Sequence, residues 1–399
     1  MVQTRSRSAT QRIVLSTLYL GTGAPEQALV ESIDSNLKER ENLQVVVLLD
    51  HLRGTRGSAI GSSSTTLLKT IANRASVYLY HTPKLRGLLR HILPERTNEI
   101  IGLQHMKIYV FDDTVLLTGA NLSTSYFINR QDRYVVFESC KELADFFHGV
   151  VAAVGKCSFQ LCDQGSIELN PACSVHPFEG CFADYRALLR SCIDKVIAAL
   201  PDKELLPHSL SDTIVYPLLQ MGPFEYNEEY NLLKGLLSLQ YEQLMFTEGK
   251  YSMDIITAAP KANGFFGATG TSGYIPSIYS RVSESVLQLK KRYNRSNVNL
   301  YEYYRDGWTF HAKGLWVETA TETASLIGSS NFGYRSVHRD LEAQVLLVTS
   351  NEHLRDQLKE ERNRLFDFAS ILDEVALRRA DHHIPMVVRM ITRLIRNLF

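Results

Sequence analysis

The chain has 399 residues, and its 43 basic and 43 acidic side chains give a formal net charge of zero. The composition, 45% hydrophobic and 22% charged, is ordinary for a globular protein and excludes a mainly disordered chain. The balanced charge argues against a dedicated nucleic-acid binder, and no stretch reaches the roughly 18 consecutive apolar residues of a membrane-spanning helix.

The first part of the chain alternates predicted strands and helices. Arg12–Leu20 is apolar and β-branched, as in a strand, and Glu26–Glu39 has apolar residues at helical spacing. Leu43–Asp50 is a continuous apolar run, which is typical of a strand buried on both faces. A helix near Thr65–Asn73 and a strand at Val77–His81 follow. This alternation predicts an α/β fold with a mostly parallel or mixed sheet.

Two hairpins further along the chain indicate an internal repeat. Lys107–Phe111 and Val115–Thr118 form the first predicted hairpin, and Lys313–Val317 and Ala324–Ile327 form the second. Each is preceded by a strand with a glycine-bearing loop and followed by an apolar strand. The sequence therefore predicts a duplicated α/β fold, with a mixed sheet flanked by helices in each half.

The repeat divides the chain into four segments. We assign 1–163 to the first half, 164–211 to a linker with a helix, 212–350 to the second half and 351–399 to a C-terminal helical segment. The stretch Leu232–Met253 has no β-branched run comparable with Arg12–Leu20. We therefore expect the second half to lack a counterpart of the first strand.

The same chemical motif stands in both halves. Its pattern is H-x-K-x4-[D/E], and in a strand it places each histidine and its lysine on one face. Two copies with matching surroundings make an accidental match very improbable. The copies are His105, Lys107 and Asp112 in the first half, and His311, Lys313 and Glu318 in the second.

The residues that follow each hairpin also repeat. Asn121 and Asn331 close the turns, and an acid stands eleven residues after each, at Asp132 and Glu342. Lysine and asparagine donors suit the non-bridging oxygens of a phosphodiester. One neutral histidine can attack phosphorus, while the other acts as acid and then base. We expect the two acids to fix the histidine tautomers, and we expect no metal or cofactor.

The acids inside the motif itself occupy hairpin turns. Asp112 and Glu318 are therefore expected to lock the backbone or to pair with a lysine, and less to take part in chemistry. The sequence symmetry does not say which histidine is the nucleophile.

These motifs resemble the phospholipase D superfamily, whose fold has two similar α/β halves with one site between them. GLQHMKIYVFDD, TGANLSTSYFINRQDRY, FHAKGLW and IGSSNFGYRSVHRDLEAQ are similar, within it, to the eukaryotic mitochondrial phosphatidyltransferases that use CDP-diacylglycerol and sn-glycerol 3-phosphate. The resemblance runs over nearly the whole chain. It implies a mitochondrial enzyme that forms phosphatidylglycerophosphate and CMP, the first step towards phosphatidylglycerol and cardiolipin. By analogy with the superfamily, it places His105 slightly ahead as the nucleophile.

Arginines suit the phosphate of that acceptor. Arg53 and Arg56 follow the strand Leu43–Asp50 at the end where α/β proteins usually bind ligands. At the C-terminus, Met386–Phe399 is a short basic amphipathic helix. Two readings stay open for it, a peripheral contact with an anionic membrane surface or packing on the protein body.

Three alternative functions keep the same motifs. With water as acceptor the chain would be a phospholipase or nuclease, and with serine it would be a phosphatidylserine synthase. The expected missing strand also raises the possibility of a catalytically impaired lipid-binding protein. The intact His, Lys and Asn residues in both halves argue against that last reading.

Overall fold

The first half of the protein is organised around one eight-stranded sheet. The computed structural model describes residues 1–58, 61–92, 98–200, 211–236 and 252–395. The strands up to residue 169 are β1 Arg12–Ser16, β2 Gln44–Asp50, β3 Ser76–Tyr80, β4 Ile108–Phe111, β5 Thr114–Thr118, β6 Arg130–Gln131, β7 Tyr134–Phe137, β8 Phe159–Leu161 and β9 Ile167–Leu169.

The sheet has the order β7-β5-β4-β1-β2-β3-β8-β9. At its centre β1 pairs in parallel with β2 and antiparallel with β4, so β1 links the parallel and antiparallel parts. Ile13, Val14 and Leu15 of β1 are buried because helices cover both faces of the sheet.

Helices of the first half cover the sheet from two sides. Leu29 and Ile33 of α2 join the core on one face, and Phe147 and Val150 of α7 join the core on the other. The helices are α1 Val2–Ser8, α2 Ala24–Glu39, α3 His51–Gly54, α4 Ser64–Leu68, α5 Leu88–Ile92, α6 Thr124–Ile128, α7 Lys141–Lys156 and α8 Phe182–Ala198.

The segment 164–211, assigned to a linker, belongs structurally to the first half as far as it is described. It adds β9 beside β8, and α8 places Tyr185, Leu189 and Ile193 in the core next to α7. The helix expected in this segment is therefore present as a core element.

The second half contains two separate sheets. Its strands are β10 Thr213–Met221, β11 Tyr226–Asn227, β12 Met253–Ala258, β13 Val298–Tyr303, β14 Thr309–Phe310, β15 Leu315–Glu318, β16 Thr323–Gly328, β17 Glu342–Thr349 and β18 Ala369–Ile371. One sheet has the order β11-β10-β17-β16-β15, and the other has the order β12-β13-β18. Its helices are a segment at 228–236, α9 Ile275–Arg292, α10 Tyr334–His338, α11 Glu352–Phe366 and α12 Met386–Ile395.

The break between these two sheets falls at the position that the central strand β1 occupies in the first half. In sheet order β15 corresponds to β4 and β12 corresponds to β2, but among the described residues these two strands end separate sheets and no strand pairs with both. The expectation that the second half lacks a counterpart of the first strand stays a prediction. Of the stretch Leu232–Met253 that carried the expectation, residues 237–251 lie outside the described residues.

Backbone pairing joins the two halves next to the repeated motifs. β14 of the second half pairs in parallel with β6 of the first, and the His105 N–H donates to the Leu341 carbonyl at 2.9 Å. Arg133 is 2% exposed and reaches from the first half to the Leu326 carbonyl and, in a two-pronged ion pair, to Glu361. The halves therefore meet around the residues singled out by the sequence.

The C-terminal segment packs on the second half. Asn351 caps α11, since its side chain accepts from the Leu354 N–H at 3.0 Å. Val388 of α12 packs with Ile278 and Ile384, whereas Met390 on the same helix is 72% exposed. Among the described residues, no helix has both the length and the apolar character needed to cross a bilayer.

Candidate active site

The two His-Lys pairs have the same local geometry. The Lys107 ammonium donates to the carbonyl of His105 at 2.8 Å, and the Lys313 ammonium donates to the carbonyl of His311 at 2.7 Å. The Lys313 ammonium also lies 2.7 and 3.2 Å from the two ring nitrogens of His311. Each lysine is thus held against its own histidine, as expected for residues two apart on an extended strand.

A carboxylate from the opposite half contacts each histidine. Nδ1 of His105 donates to Glu342 at 2.9 Å, and Nδ1 of His311 donates to Asp132 at 2.6 Å. This bond leaves Nε2 of His105 as the nitrogen that is available for chemistry. In His311 the Lys313 ammonium also contacts Nε2 at 3.2 Å, so this lysine must turn to the phosphate before Nε2 can take a proton. Because each histidine takes its partner from the other half, the site can form only when both halves are present.

Burial favours the neutral form of both histidines before any substrate binds. It lowers the pKa of His105 well below the ordinary value, and the Lys107 charge lowers it further. Burial and then the Lys313 charge lower the pKa of His311 to about 3. Burial also lowers the pKa of Lys107 well below its usual range and that of Lys313 to about 8. An incoming phosphate would reverse these shifts, because its negative charge favours every protonated form.

The two carboxylates differ in their charge state. Burial opposes ionisation of Asp132, but the Lys313 charge and the hydrogen bonds from His311 and from the Arg133 N–H outweigh it and lower the Asp132 pKa. For Glu342 burial dominates and raises the pKa, although Lys107 and two serine hydroxyls act in the opposite sense. The partner of His311 is therefore the more firmly ionised of the two acids.

The asparagine-bearing turns line the same region differently. The Asn121 amide donates to the Tyr126 hydroxyl at 2.9 Å, and the Tyr126 ring meets the His311 ring edge-on at 5.1 Å. Asn331 is exposed, and the serine before it, Ser330, donates to Glu229 at 2.8 Å. The side chain of Asn121 is thus fixed by Tyr126, whereas Asn331 is held through its backbone, since its N–H donates to the Ser336 hydroxyl at 3.1 Å.

Two buried glutamates that the sequence analysis did not single out anchor these turns. Glu26 is 1% exposed and accepts from the Thr124 hydroxyl at 2.9 Å, just after Asn121. Glu229 is fully buried behind Ser330, and burial raises its pKa to about 8. Each comes from the early part of its own half. A lone glutamate at the start of a helix gives no sequence signal for such a role.

The acids inside the two motifs lie outside this cluster. Asp112 accepts from the backbone N–H groups of Thr10, Gln11 and Arg12, which fixes the start of β1. Glu318 is exposed and pairs with Arg362. Both side chains have structural partners, and Glu318 pairs with an arginine where a lysine was one expectation.

Arg53 and Arg56, expected to bind phosphate, share one acidic partner. Arg53 lies 3.7 Å from Glu99, and Arg56 forms a close ion pair with the same carboxylate. Arg53 also stacks on the Tyr19 ring, 4.5 Å from its centroid. Their positive charges are therefore partly compensated before any ligand arrives.

The assembled groups suit attack on a phosphodiester. Two histidines present Nε2, two ammonium groups lie beside them, and one ionised carboxylate supports His311. Neutral nucleophile, acid-base partner and positive donors are the elements that phosphoryl transfer requires. Among the described residues, no group of three or more acids, histidines and cysteines could hold a metal ion.

Comparison with known proteins gives consistent matches. The mitochondrial CDP-diacylglycerol–glycerol-3-phosphate 3-phosphatidyltransferase of Homo sapiens is 39% identical, with 98% of this chain and 80% of that protein covered. The enzyme of Saccharomyces pastorianus with the same activity in its name is 32% identical, over 92% and 80% of the two chains. A probable Dictyostelium discoideum enzyme is 35% identical, over 89% and 68%. No family model matches the chain.

A solved structure shows the same fold. Phosphatidylserine synthase of Haemophilus influenzae superimposes with a TM-score of 0.74, covering all of this chain and 92% of that one, at 19% identity. This confirms the duplicated α/β architecture. The alignment with the human relative spans 443 positions, more than the 399 residues of this chain. The relative therefore has residues within the aligned region that have no counterpart here.

Proposed function

This chain belongs to the CDP-diacylglycerol–glycerol-3-phosphate 3-phosphatidyltransferase family, and we propose that it transfers a phosphatidyl group from CDP-diacylglycerol to glycerol 3-phosphate through a phosphohistidine. It is a transferase of phospholipid synthesis, and the mitochondrial names of its vertebrate relatives place it in that organelle. The observation that carries the mechanism is the crossed pairing of each histidine with a carboxylate of the other half.

In the first step Nε2 of His105 attacks the phosphatidyl phosphorus. The bond between this phosphorus and the bridging oxygen breaks, and CMP leaves with the electron pair. The leaving group is a phosphate with a second pKa near 6, so it needs little protonation. The lysine ammonium groups stabilise the charge on the non-bridging oxygens. The neutral state that burial gives His105 supports its role as the nucleophile.

In the second step a hydroxyl of glycerol 3-phosphate attacks the phosphohistidine. His311 removes the hydroxyl proton, the new P–O bond forms, and the P–N bond to His105 breaks. The base must be neutral before this step, and burial keeps His311 so by lowering its pKa to about 3. It must become cationic during the step, and the ionised Asp132 stabilises that form. This difference supports His311 as the acid-base group.

CMP release tests the proposal directly. Release from CDP-diacylglycerol in mixed micelles containing EDTA is measured with and without glycerol 3-phosphate. We expect acceptor-dependent turnover, and we expect both His105→Ala and His311→Ala to abolish it. The exposed His353 provides the control, since His353→Ala should leave turnover unchanged. Release that ignores the acceptor would identify a hydrolase, and no release from a folded protein would identify the impaired lipid-binding protein.

The covalent step has its own signature. His311→Ala should still release one equivalent of CMP, because the leaving group needs little protonation, and should then retain an acid-labile phosphatidyl group on the protein. His105→Ala should retain none. If the phosphatidyl group accumulates on the His105→Ala protein instead, His311 is the nucleophile and His105 is the acid-base group.

Peripheral contact with the membrane is part of the proposal, because one substrate is a membrane lipid. Apolar side chains on two helices support it: Leu88 and Ile92 of α5 are 72% and 64% exposed, and Met386 of α12 is 78% exposed. Sedimentation with phosphatidylcholine vesicles, with and without anionic phosphatidylglycerol, tests the contact. Leu88→Ser and Met386→Ser should each reduce the bound fraction. An unchanged fraction in both variants would contradict membrane contact through these helices.

A further inference from the structure

Arg130 is a cation beside His311 that takes no part in either step of the proposed reaction. Its guanidinium stacks on the Tyr126 ring, 4.2 Å from the centroid, and the edge of His311 meets the same ring. Its charge lowers the pKa of both His311 and Lys313, behind larger contributions from burial. Its Nε is buried and has no hydrogen-bond partner among the described residues, and no ion pair in that part of the chain involves it.

Strand pairing puts Arg130 on the reactive face. In the parallel pair of β6 and β14, Arg130 lies opposite Thr309, and the His311 N–H continues the ladder to the Gln131 carbonyl at 2.8 Å. Because side chains alternate along a strand, Arg130 shares a face with Asp132, and Thr309 shares a face with His311. Thr309 Oγ1 is also buried without a partner among the described residues. Two unpartnered polar atoms thus occur at directly paired positions.

The second half has no equivalent cation at this position. Arg130 stands nine residues after Asn121, and Asp340 stands nine residues after Asn331. Asp340 is buried, accepts from the Leu103 N–H at 2.9 Å and pairs with Arg335 at 3.1 Å. The acid at this position is therefore paired with an arginine, whereas the charge of Arg130 near His311 has no acidic partner in the described chain. An anion that binds on the His311 side would meet this cation.

The chemistry of the reaction supplies such an anion twice on that side. The group that leaves and the group that arrives both occupy the position in line with the attacking or departing histidine nitrogen, next to the acid-base residue. In the leaving CMP the phosphorus bears the reacting oxygen itself, whereas in glycerol 3-phosphate three carbons separate the phosphate from the attacking hydroxyl. The phosphate of the acceptor therefore needs a place of its own, farther from the reacting phosphorus. A guanidinium donates to phosphate oxygens through a fork of N–H groups, which matches this ligand.

We propose that Arg130 and Thr309 form a phosphate subsite beside His311 that holds the phosphate of glycerol 3-phosphate. The inference rests on the proposed function and on the assignment of His311 as the acid-base group. It makes Arg130 the residue that selects a phosphorylated acceptor over plain glycerol. The phosphate of CMP adjoins the reacting phosphorus and lies outside this subsite. Arg53 and Arg56 are less suited to this role because Glu99 already pairs with both.

The test compares Arg130→Gln, Arg130→Lys and Thr309→Val with the wild type. For Arg130→Gln we expect KM for glycerol 3-phosphate to rise by roughly ten- to a hundredfold, the loss of charge-assisted hydrogen bonds. Inhibition by CMP should change little, because the CMP phosphate lies at the reacting oxygen and outside the subsite. Any turnover with plain glycerol should stay unchanged, so that discrimination between the two acceptors is lost. Arg130→Lys should retain part of it, and Thr309→Val should lose less than Arg130→Gln.

A matched control uses an arginine with the same stacking and no place in the site. Arg292 is exposed and lies over the Tyr293 ring at 5.7 Å, so Arg292→Gln should change neither KM nor CMP inhibition. Thermal melting verifies that each variant is folded. Calorimetric binding of CMP, glycerol 3-phosphate and inorganic phosphate to the protein without lipid gives a readout that needs no turnover.

The outcomes separate the subsite from the overall function. If Arg130→Gln binds glycerol 3-phosphate and inorganic phosphate as the wild type does, the subsite is refuted. A loss of CMP binding as large as the loss of glycerol 3-phosphate binding also overturns it, because the phosphate of CMP is expected outside the subsite. Failure of the wild type to release CMP refutes the proposed function itself, whatever the binding experiment shows.

Discussion

The two halves repeat one motif on unequal scaffolds. In the first half β4 is fully buried beside β1, in a sheet covered by helices on both faces. In the second half Leu315, Trp316 and Val317 of the corresponding strand β15 are partly exposed, and β15 ends its sheet. The His-Lys geometry is nevertheless the same in both.

This difference shows where the precision of the site originates. The scaffold around His311 is the weaker one, so the position of His311 depends on contacts with the other half. These contacts are the β6–β14 pairing, the bond to Asp132 and the ties of Arg133 to Leu326 and Glu361. These contacts across the interface hold His311 in place.

The largest expected effect comes from removing the ionised carboxylate that distinguishes the His311 side from the His105 side. Asp132→Asn removes the ionised partner of His311, and we expect the rate of acceptor transfer to fall by about 10³–10⁴, as when a carboxylate behind a catalytic histidine is lost. Glu342→Gln resembles the protonated form that burial favours, so the loss should be only about ten- to a hundredfold. Single-turnover kinetics of CMP release and of transfer measure both variants.

The order of these two losses is the decisive result. If Glu342→Gln were the more damaging substitution, His105 would be the acid-base group and the assignment of roles would be reversed. Equal losses would mean that the raised pKa of Glu342 has no functional consequence.

The next prediction compares the equivalent turn positions Gly119 and Ser329. A Cβ at Gly119 would lie 2.7 Å from the Asp132 carboxylate and 3.0 Å from Cδ of Lys313, so Gly119→Ala must displace one of them. We expect a rate loss of about a hundredfold, typical of a displaced catalytic group. Ser329→Ala removes one hydrogen bond to Glu342, which corresponds to a loss of about tenfold or less.

Steady-state kinetics on folded samples check this pair, with circular dichroism as the control for structure. A harmless Gly119→Ala would contradict the close approach of Lys313 to the first-half turn.

A third comparison addresses stability. Val110 of β4 is fully buried, and we expect Val110→Ala to lower the free energy of unfolding by about 2–3 kcal/mol. Val317 of β15 is only partly buried, so Val317→Ala should cost less than about 1 kcal/mol. Urea unfolding measures both, and hydrogen exchange should show β15 amides exchanging faster than those of β4. Equal costs would indicate that something covers β15 in solution.

The sequence predicted the residues that repeat in both halves. It could not predict the contacts that run from one half to the other. The repeated spacing pointed to both His-Lys pairs and to the acids at Asp132 and Glu342, which the structure brings together. The absence of a first-strand counterpart in the second half stays a prediction, because residues 237–251 lie outside the described residues. The repeated spacing offered no means to decide that each acid serves the histidine of the other half. Glu26, Glu229 and the Glu99 partner of Arg53 depend on tertiary contacts, which leave no periodic signal.

The smallest expected effect is the dependence of kcat/KM on pH, which reports the charge of Lys313. Burial lowers the Lys313 pKa to about 8, and a lysine donates to phosphate only while it is protonated. The proton is present below this pKa and is lost above it, so kcat/KM should fall as pH rises through about 8. His311, with a pKa of about 3, should add no acidic limb near neutral pH.

Lys313→Arg tests whether Lys313 causes the fall of kcat/KM near pH 8. Arginine stays charged at every accessible pH, so the variant should be less active at neutral pH but should lose the decline near pH 8. Lys359→Arg, on the exposed face of α11, should keep the wild-type profile. If the decline persists in Lys313→Arg, Lys313 is not the titrating group and this prediction is wrong. The pH range of the enzyme would then be set by another group of the site, and the lowered pKa of Lys313 would have no effect on it.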